Sequence, residues 1–390
     1  MKTVKRRRAG RRSAACGASR MLAASLAALA LGIFLGARLA GAKLKREVSL
    51  PLLPLVPAAS PIPSAPTSGT APLPSWDAFS FENEEGARSS QEAPDPSGAA
   101  YSCTVPLDSP ALTVSVGGEP EEMTLEEYLF GVVAAEMSAD SEFEALKAQA
   151  VAARTFTALH MAGSAVCRSG CTVCSDHRCC QAYMTEAELR AAWGSSYEKY
   201  AEKIRAAVKE TEGLVAVYDG KLISALYHAS SGPMTENSEA VFAIAKPYLI
   251  SVDSREGGNE TTTVKEFPMA ELVDRLNEAF PLAELSCPMG KSDLDIWGRS
   301  ESGRVNLMRV GNTVVSGNLL RQALGLRSTA FTVEIGESTV IFTCTGYGHG
   351  VGMSQLGANE MAKSGASFRE ILAHFYTGTE LAKLTYENGG

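Results

Sequence analysis

Residues 124–156, TLEEYLFGVVAAEMSADSEFEALKAQAVAARTF, decide the fold: two apolar runs rich in alanine flank the turn-forming Ser138, Ala139 and Asp140. Thr124 stands three residues before Glu127, and Ser141 three before Glu144. That is the spacing of a capping box, in which a hydroxyl accepts from a free helix amide while the glutamate reaches back. The spacing predicts one helix over 124–137 and a second opening at Ser141. Glu136 then falls in the last turn of the first helix, where the helix dipole disfavours a carboxylate. Its neighbours Val132, Val133, Ala134, Ala135 and Met137 cannot solvate charge. Both effects raise a carboxyl pKa, and a glutamic acid still protonated near neutral pH can donate a proton to a leaving oxygen, as in glycoside cleavage. A solvated glutamate at a fraying helix end is the competing reading of this segment alone.

Upstream the character changes. The first 50 residues carry twelve Lys or Arg against the single acid Glu47, whereas the whole chain of 390 residues nets −8. The remainder is therefore acidic, which argues against a broad nucleic-acid or anionic-lipid surface. Residues 1–20 read as a basic cytoplasmic tail. The apolar run 21–37, followed by Arg38, Leu39 and Ala40, reads as a transmembrane anchor over 21–41, with the basic flank inside and the rest of the chain outside. A signal peptide cleaved near Ala40-Gly41-Ala42 is the rival, but the run exceeds a usual signal core of ~7–15 residues. Residues 42–100 are rich in Pro, Ser, Ala and Gly and cannot bury enough apolar surface to offset ordering entropy, so they form a linker. These features place the protein at the cell membrane as a single-pass protein.

From residue 101 to 390 the composition is that of a globular domain. A strand over 113–116 precedes the two capped helices. A helical segment over 186–208 is interrupted at Gly194, and 213–227 reads as a hairpin turning at Asp219-Gly220. A short helix over 269–279 follows, with strands at 304–309, 313–315, 331–335 and 339–344. Helices over 354–363 and 367–375 close the chain. Without regular βαβ alternation, the fold class is α+β: mixed helices and antiparallel strands forming a cleft, with an N-terminal transmembrane helix.

Several motifs carry polar chemistry. Gly346, Gly348, Gly350 and Gly352 punctuate TCTGYGHGVGMSQLGA, yet no register supplies the GxGxxG of a dinucleotide loop. They would let backbone approach a ligand while His349 and Gln355 present hydrogen-bonding groups; a tight strand-to-helix turn with a core histidine is the alternative. Tyr227, His228, Ser230 and Ser231 form a second polar cluster suited to a neutral polyhydroxyl ligand, or simply a polar turn. Cys167, Cys171, Cys174, Cys179 and Cys180 lie within fourteen residues beside His177. In an exported chain disulfides are one reading. Adjacent cysteines are poorly placed for short unstrained bridges, so a closed structural zinc site is the other. A catalytic zinc is disfavoured, since a closed sulfur-rich site leaves no position for water. Neither GxSxG nor HExxH is present.

The blocks EEYLFGVVAAEMSADSEFEALKAQAVAARTF, CQAY, YHASSG with TEN behind it, KPYLISVDS, LLRQALGLRST and GYGHGVGMSQLGA, in this order, resemble the stage II sporulation protein D family. The resemblance covers most of residues 101–376. It implies a membrane-anchored peptidoglycan lytic transglycosylase acting on denuded glycan strands during sporulation engulfment. A wall amidase and engulfment complex proteins would be its partners, and nucleic acid would not. The alternative is a non-catalytic wall-binding module that stimulates an amidase, as relatives called amidase enhancers suggest. By motif, Glu136 matches the family's catalytic glutamate, with Lys147, Gln149 and Arg154 in the helix behind it. With Tyr227, His228, Ser230, Ser231, His349 and Gln355 these form the expected substrate-binding set. Two departures stand out. Cys179 occupies the place of the family's usual histidine, which gives Cys167, Cys174, Cys179 and Cys180 as the zinc set, with Cys171 as an alternative ligand. Pro233 replaces the second glycine of an SSGG loop.

Overall fold

The computed structural model describes residues 104–258 and 261–386. The basic tail, anchor and linker expected over 1–100 lie outside the described residues. Among the described residues no helix is long and apolar enough to cross a membrane. Helices α1 (Leu125–Glu136), α2 (Phe143–Met161), α3 (Glu186–Trp193) and α4 (Tyr197–Glu210) are followed by α5 (Ser238–Phe242), α6 (Met269–Ala279), α7 (Gly317–Leu324), α8 (Gln355–Lys363) and α9 (Phe368–Phe375). Short strands intervene throughout, giving the expected α+β class.

Most ladders are antiparallel, but three pairs are parallel: Thr104–Leu107 with Glu380–Tyr386, Ala111–Val116 with Val173–Cys174, and Tyr227–His228 with Met353–Ser354. These join segments distant in sequence, which no tight hairpin can bring together. The predicted hairpin is real but shorter. Asp219 and Gly220 both have positive φ, as a two-residue hairpin turn needs, and pairing ends at Val217–Leu222. Tyr227 and His228 leave that hairpin to pair with Met353 and Ser354 instead.

The Thr124 capping box forms, with Glu127 returning to the Thr124 amide. The Ser141 box does not: Glu142 caps α2 with no side-chain bond. Glu144 turns to a tertiary partner, accepting from the Phe368 amide at 2.7 Å, and pairs with Lys147. α2 is the hub of the fold. Its alanine-rich surface is buried by α1, α4, α8, α9 and strand Leu214–Tyr218. Small side chains let these elements approach closely on all sides.

At the centre of this hub Arg154 is fully buried. Its guanidinium grips both oxygens of Glu126 (2.8 and 2.6 Å) and donates to the Val208 and Leu214 carbonyls and the Thr211 hydroxyl. Removing Glu126 would strand a buried cation, a type of loss that costs about 3–5 kcal/mol for a fully buried pair. Glu126 is partly solvated. Glu126→Ala is therefore expected to lower stability by about 2–3 kcal/mol in denaturant unfolding, and Glu126→Gln by less.

A second core is built from the intervening chain, with Phe267, Leu272, Leu276, Met308, Phe331 and Phe342 among its members. It joins the sheet of Leu294–Arg299, Val305–Val310 and Thr313–Ser316 to the sheet of Thr262–Pro268, Phe331–Ile335 and Thr339–Thr345. The whole segment is inserted between the paired strands Tyr227–His228 and Met353–Ser354. The glycine-rich loop 346–352 thus returns the chain from the second core to the first.

Candidate active site

Glu136 is the last residue of α1, as its sequence position predicts. It is partly exposed, and its Oε1 accepts the Ala182 N–H at 2.7 Å. Loss of hydration raises its pKa to about 7; the Ala182 amide and the approaching Gln355 and Tyr227 side chains pull the other way without overcoming it. The carboxyl is therefore about half protonated near neutral pH, in a residue that keeps some exposed surface.

The segment that holds Glu136 in place lies flat on α1 because residue 131 is glycine. A Cβ on Gly131 would stand 2.4 Å from the Tyr183 ring and 2.6 Å from the Met184 carbonyl. Tyr183 stacks on Tyr128 with centroids 5.4 Å apart, and Met184 donates its amide to the Gly131 carbonyl. Gln181 is buried, donates to Thr157 Oγ1 (3.0 Å) and accepts from the Tyr227 hydroxyl (2.8 Å). On the other side Gln355, the first residue of α8, donates to Gln149 Oε1 at 3.4 Å. The buried Gln149 Nε2 has no partner. Glu136, Gln149, Gln181, Tyr227 and Gln355 thus come together.

His228, Ser230 and Ser231 are adjacent but turned inward. His228 faces the Val351 carbonyl through Nδ1 (3.2 Å), so Nδ1 carries the proton and Nε2 accepts from the Ser231 hydroxyl. Burial holds this imidazole neutral, with its pKa well below the usual value. Ser230 donates to Glu256. His349 accepts the Val351 amide at Nδ1 (3.0 Å), and its ring lies 5.5 Å from that of His228. Burial, then the fields of Arg321 and Arg304, lower its pKa to about 4, leaving it a neutral hydrogen-bonding group.

The glycines of the loop serve this packing. A Cβ on Gly346, Gly348 or Gly352 would clash with Ser230, His228 or Leu226 respectively, so they bring the loop against the protein's own backbone.

Two expected members lie elsewhere. Lys147 pairs with Glu144 and Glu210 (3.3 Å) and sits over the Phe143 and Phe368 rings. Arg154 is locked to Glu126, which precedes Glu136 by ten residues, about 15 Å along α1. Its chemistry is that of the core.

The residue that sequence reasoning missed is Glu256. Buried in the loop before the second core, it accepts from Ser231 N (2.5 Å), Ser354 Oγ (2.7 Å), Ser230 Oγ (2.7 Å) and Gly232 N (3.3 Å). One carboxylate therefore ties the Ser230 loop to the cap of α8, and so to Gln355. Burial raises its pKa while the four donors oppose that shift. Gln181 was also missed; its only sequence signal is the CQAY block.

The thiols of Cys167, Cys174, Cys179 and Cys180 lie within 4.8 Å of one another, and Cys171 and His177 are outside the group. Two of the sulfur–sulfur separations are 3.9 Å. A tetrahedron of sulfurs at ~2.3 Å from a zinc ion has edges of ~3.8 Å, so this donor set fits such a centre. The described cysteines are unbridged. Cys180 immediately precedes Gln181 and Ala182, so the cluster would anchor the segment that holds Glu136.

A family model described as Stage II sporulation protein matches residues 118–218. The chain is 38% identical over 266 residues to stage II sporulation protein D of Bacillus subtilis (strain 168), covering 67% of this chain and 76% of that protein. It is 36% identical over 267 residues to the protein of that name from Bacillus amyloliquefaciens, covering 67% and 75%. It is also 31% identical over 302 residues to the amidase enhancer of Bacillus subtilis (strain 168), covering 65% of this chain and 40% of that protein.

Proposed function

Since the chain belongs to the stage II sporulation protein D family, we propose that it is a lytic transglycosylase, anchored at the membrane, that cleaves denuded peptidoglycan strands during engulfment. The observation that carries this reading is Glu136 at the end of α1, one oxygen held by the Ala182 amide at 2.7 Å and its pKa raised by burial to about 7. As an acid it protonates the oxygen between N-acetylmuramic acid and N-acetylglucosamine. As the resulting carboxylate it takes the proton of the muramic C6 hydroxyl, whose attack on C1 closes a 1,6-anhydro ring. Intramolecular attack needs no captured water and is entropically favoured. It also needs no second catalytic carboxylate, in contrast to the paired carboxylates of most glycosidases.

Tyr227 and Gln355 flank the carboxyl, and the Ala182 amide fixes one oxygen. Because the acid form starts the reaction, cleavage is expected to fall about tenfold per pH unit above about pH 7, read from initial rates on purified strands.

Zinc in the cysteine cluster would be structural, held by Cys167, Cys174, Cys179 and Cys180, and its contribution is to hold the loop that presents Ala182. Cys174→Ser is expected to abolish bound zinc in elemental analysis and to lower the melting temperature. Unchanged stability would count against a structural metal.

A second reading is favoured by the identity with an amidase enhancer: a wall-binding module that stimulates an amidase. Incubating the protein alone with purified strands separates the two. New chain ends without an amidase support the enzyme; binding with no new ends, and faster amidase action, supports the module.

A further inference from the structure

A cavity of about 100 Å³ opens beside the glycine-rich loop, lined by residues that include Glu236, Arg304, Asn306, Asn318, Thr329 and His349. Arg304 comes from the edge of the second core and is 1% exposed. Its Nη2 donates to the Ser231 carbonyl at 2.6 Å, but Nε and Nη1 are buried without a partner. Among the described residues it makes no ion pair within 4 Å. A buried guanidinium with idle donors is costly, each unmet donor losing ~1–3 kcal/mol. Glu236 and Glu256 favour its charge from a distance but leave these two donors unmet.

The neighbouring acids are already engaged. Glu236 accepts from Asn237 N (2.9 Å), Ser302 Oγ (2.8 Å) and Ser300 Oγ, and Glu256 has its four donors. The guanidinium is also fixed in place: a Cβ on Gly350 would stand 2.4 Å from Arg304 Cζ, so it lies directly against the loop backbone. Asn306, Asn318 and His349 are part-exposed and form the mouth. The cavity has room for several waters, hence for a carboxylate with its adjoining carbons.

We propose that this cavity seats a carboxylate of the ligand on Arg304, and that the group is the lactyl carboxylate of a muramic residue. This rests on the proposed function for the identity of the strand. His349 lines the cavity and also faces His228, whose neighbour Tyr227 flanks Glu136. An acidic substituent of a strand bound at Glu136 that reached this cavity would gain charge-assisted hydrogen bonds from Arg304. Arg304 acts as a specificity residue: it distinguishes muramic acid from N-acetylglucosamine, which lacks the lactyl group, and a free carboxylate from one tied up as an amide.

The test uses the full chain carrying Glu136→Gln, so that strands bind without being cut. Calorimetry compares a muramic acid–glucosamine tetrasaccharide with free lactyl carboxylates, the same sugar with those groups converted to methylamides, and an N-acetylglucosamine tetramer. The free acid is expected to bind about tenfold or more tighter than either neutral sugar. Arg304→Met should erase the difference. Because that variant can fail to fold, Asn318→Asp, nearly isosteric, places a competing negative charge at the mouth and should reduce the preference to within about twofold. Equal binding of the three sugars by the parent protein, no binding of any, or a preference untouched by Asn318→Asp would overturn the assignment. Strand cleavage by the chain with Glu136 intact reports on the proposed function separately.

Discussion

Glu136→Gln is expected to lower strand cleavage by about 10²–10⁴-fold, the range a positioned acid–base group contributes, while leaving strand affinity within about twofold. Glutamine keeps the shape and still accepts from the Ala182 amide, but it has no proton to give. The same substitution should also change stability in a pH-dependent way. The carboxyl titrates at about 7 in the fold against 4.5 for the ordinary group. The folded state therefore holds this proton more tightly than the unfolded chain does. That stabilisation is fully present below about pH 4.5 and is lost as pH rises through about 7. Relative to the parent, the Gln variant should gain about 1–3 kcal/mol at pH values above about 7 and little at about pH 4. Denaturant unfolding at both pH values, beside initial rates, checks the pair of effects. A variant as active as the parent removes Glu136 from the chemistry.

Glu256→Ala is expected to cost about 3–5 kcal/mol and to reduce activity with it, although Glu256 is outside the reacting group. Its loss would leave the Ser230 and Ser354 hydroxyls and the Ser231 and Gly232 amides without their acceptor in a buried setting, each at ~1–3 kcal/mol before relaxation. The disturbance passes to Gln355 through the Ser354 cap, and to His228 through Ser231. Glu256→Gln retains one acceptor oxygen and should lie between. Urea midpoints for the three proteins, with cleavage measured where each is folded, give the order. A Glu256→Ala protein as stable as the parent would contradict the role given to this carboxylate.

The parts legible in the sequence are those governed by local chemistry. The Thr124 box, the alternation of buried and part-buried residues along Thr339–Thr345 and the Asp219-Gly220 turn each declare themselves within a few residues. Strand Glu119–Thr124 escaped because it is an exposed edge of acidic residues with a proline, with no alternation to read. The Ser141 box failed because Glu144 found a partner more than two hundred positions away. Glu256 and Arg304 show the same limit at the candidate site. Neither stands in a pattern, and each takes its meaning from loops that the insertion of the second core brings together. Arg154 shows the reverse: it lies within the decisive two-helix stretch of sequence, yet the helix carries it to Glu126 and away from Glu136.

The central claim is that Glu136 drives ring closure by the muramic C6 hydroxyl. Mass spectrometry of products from denuded strands, made by the purified chain without an amidase, tests it most directly. The expected products end in 1,6-anhydromuramic acid, one water lighter than hydrolytic ends, and vanish with Glu136→Gln. Reducing muramic ends that carry the extra water, or no new ends at all, would contradict it.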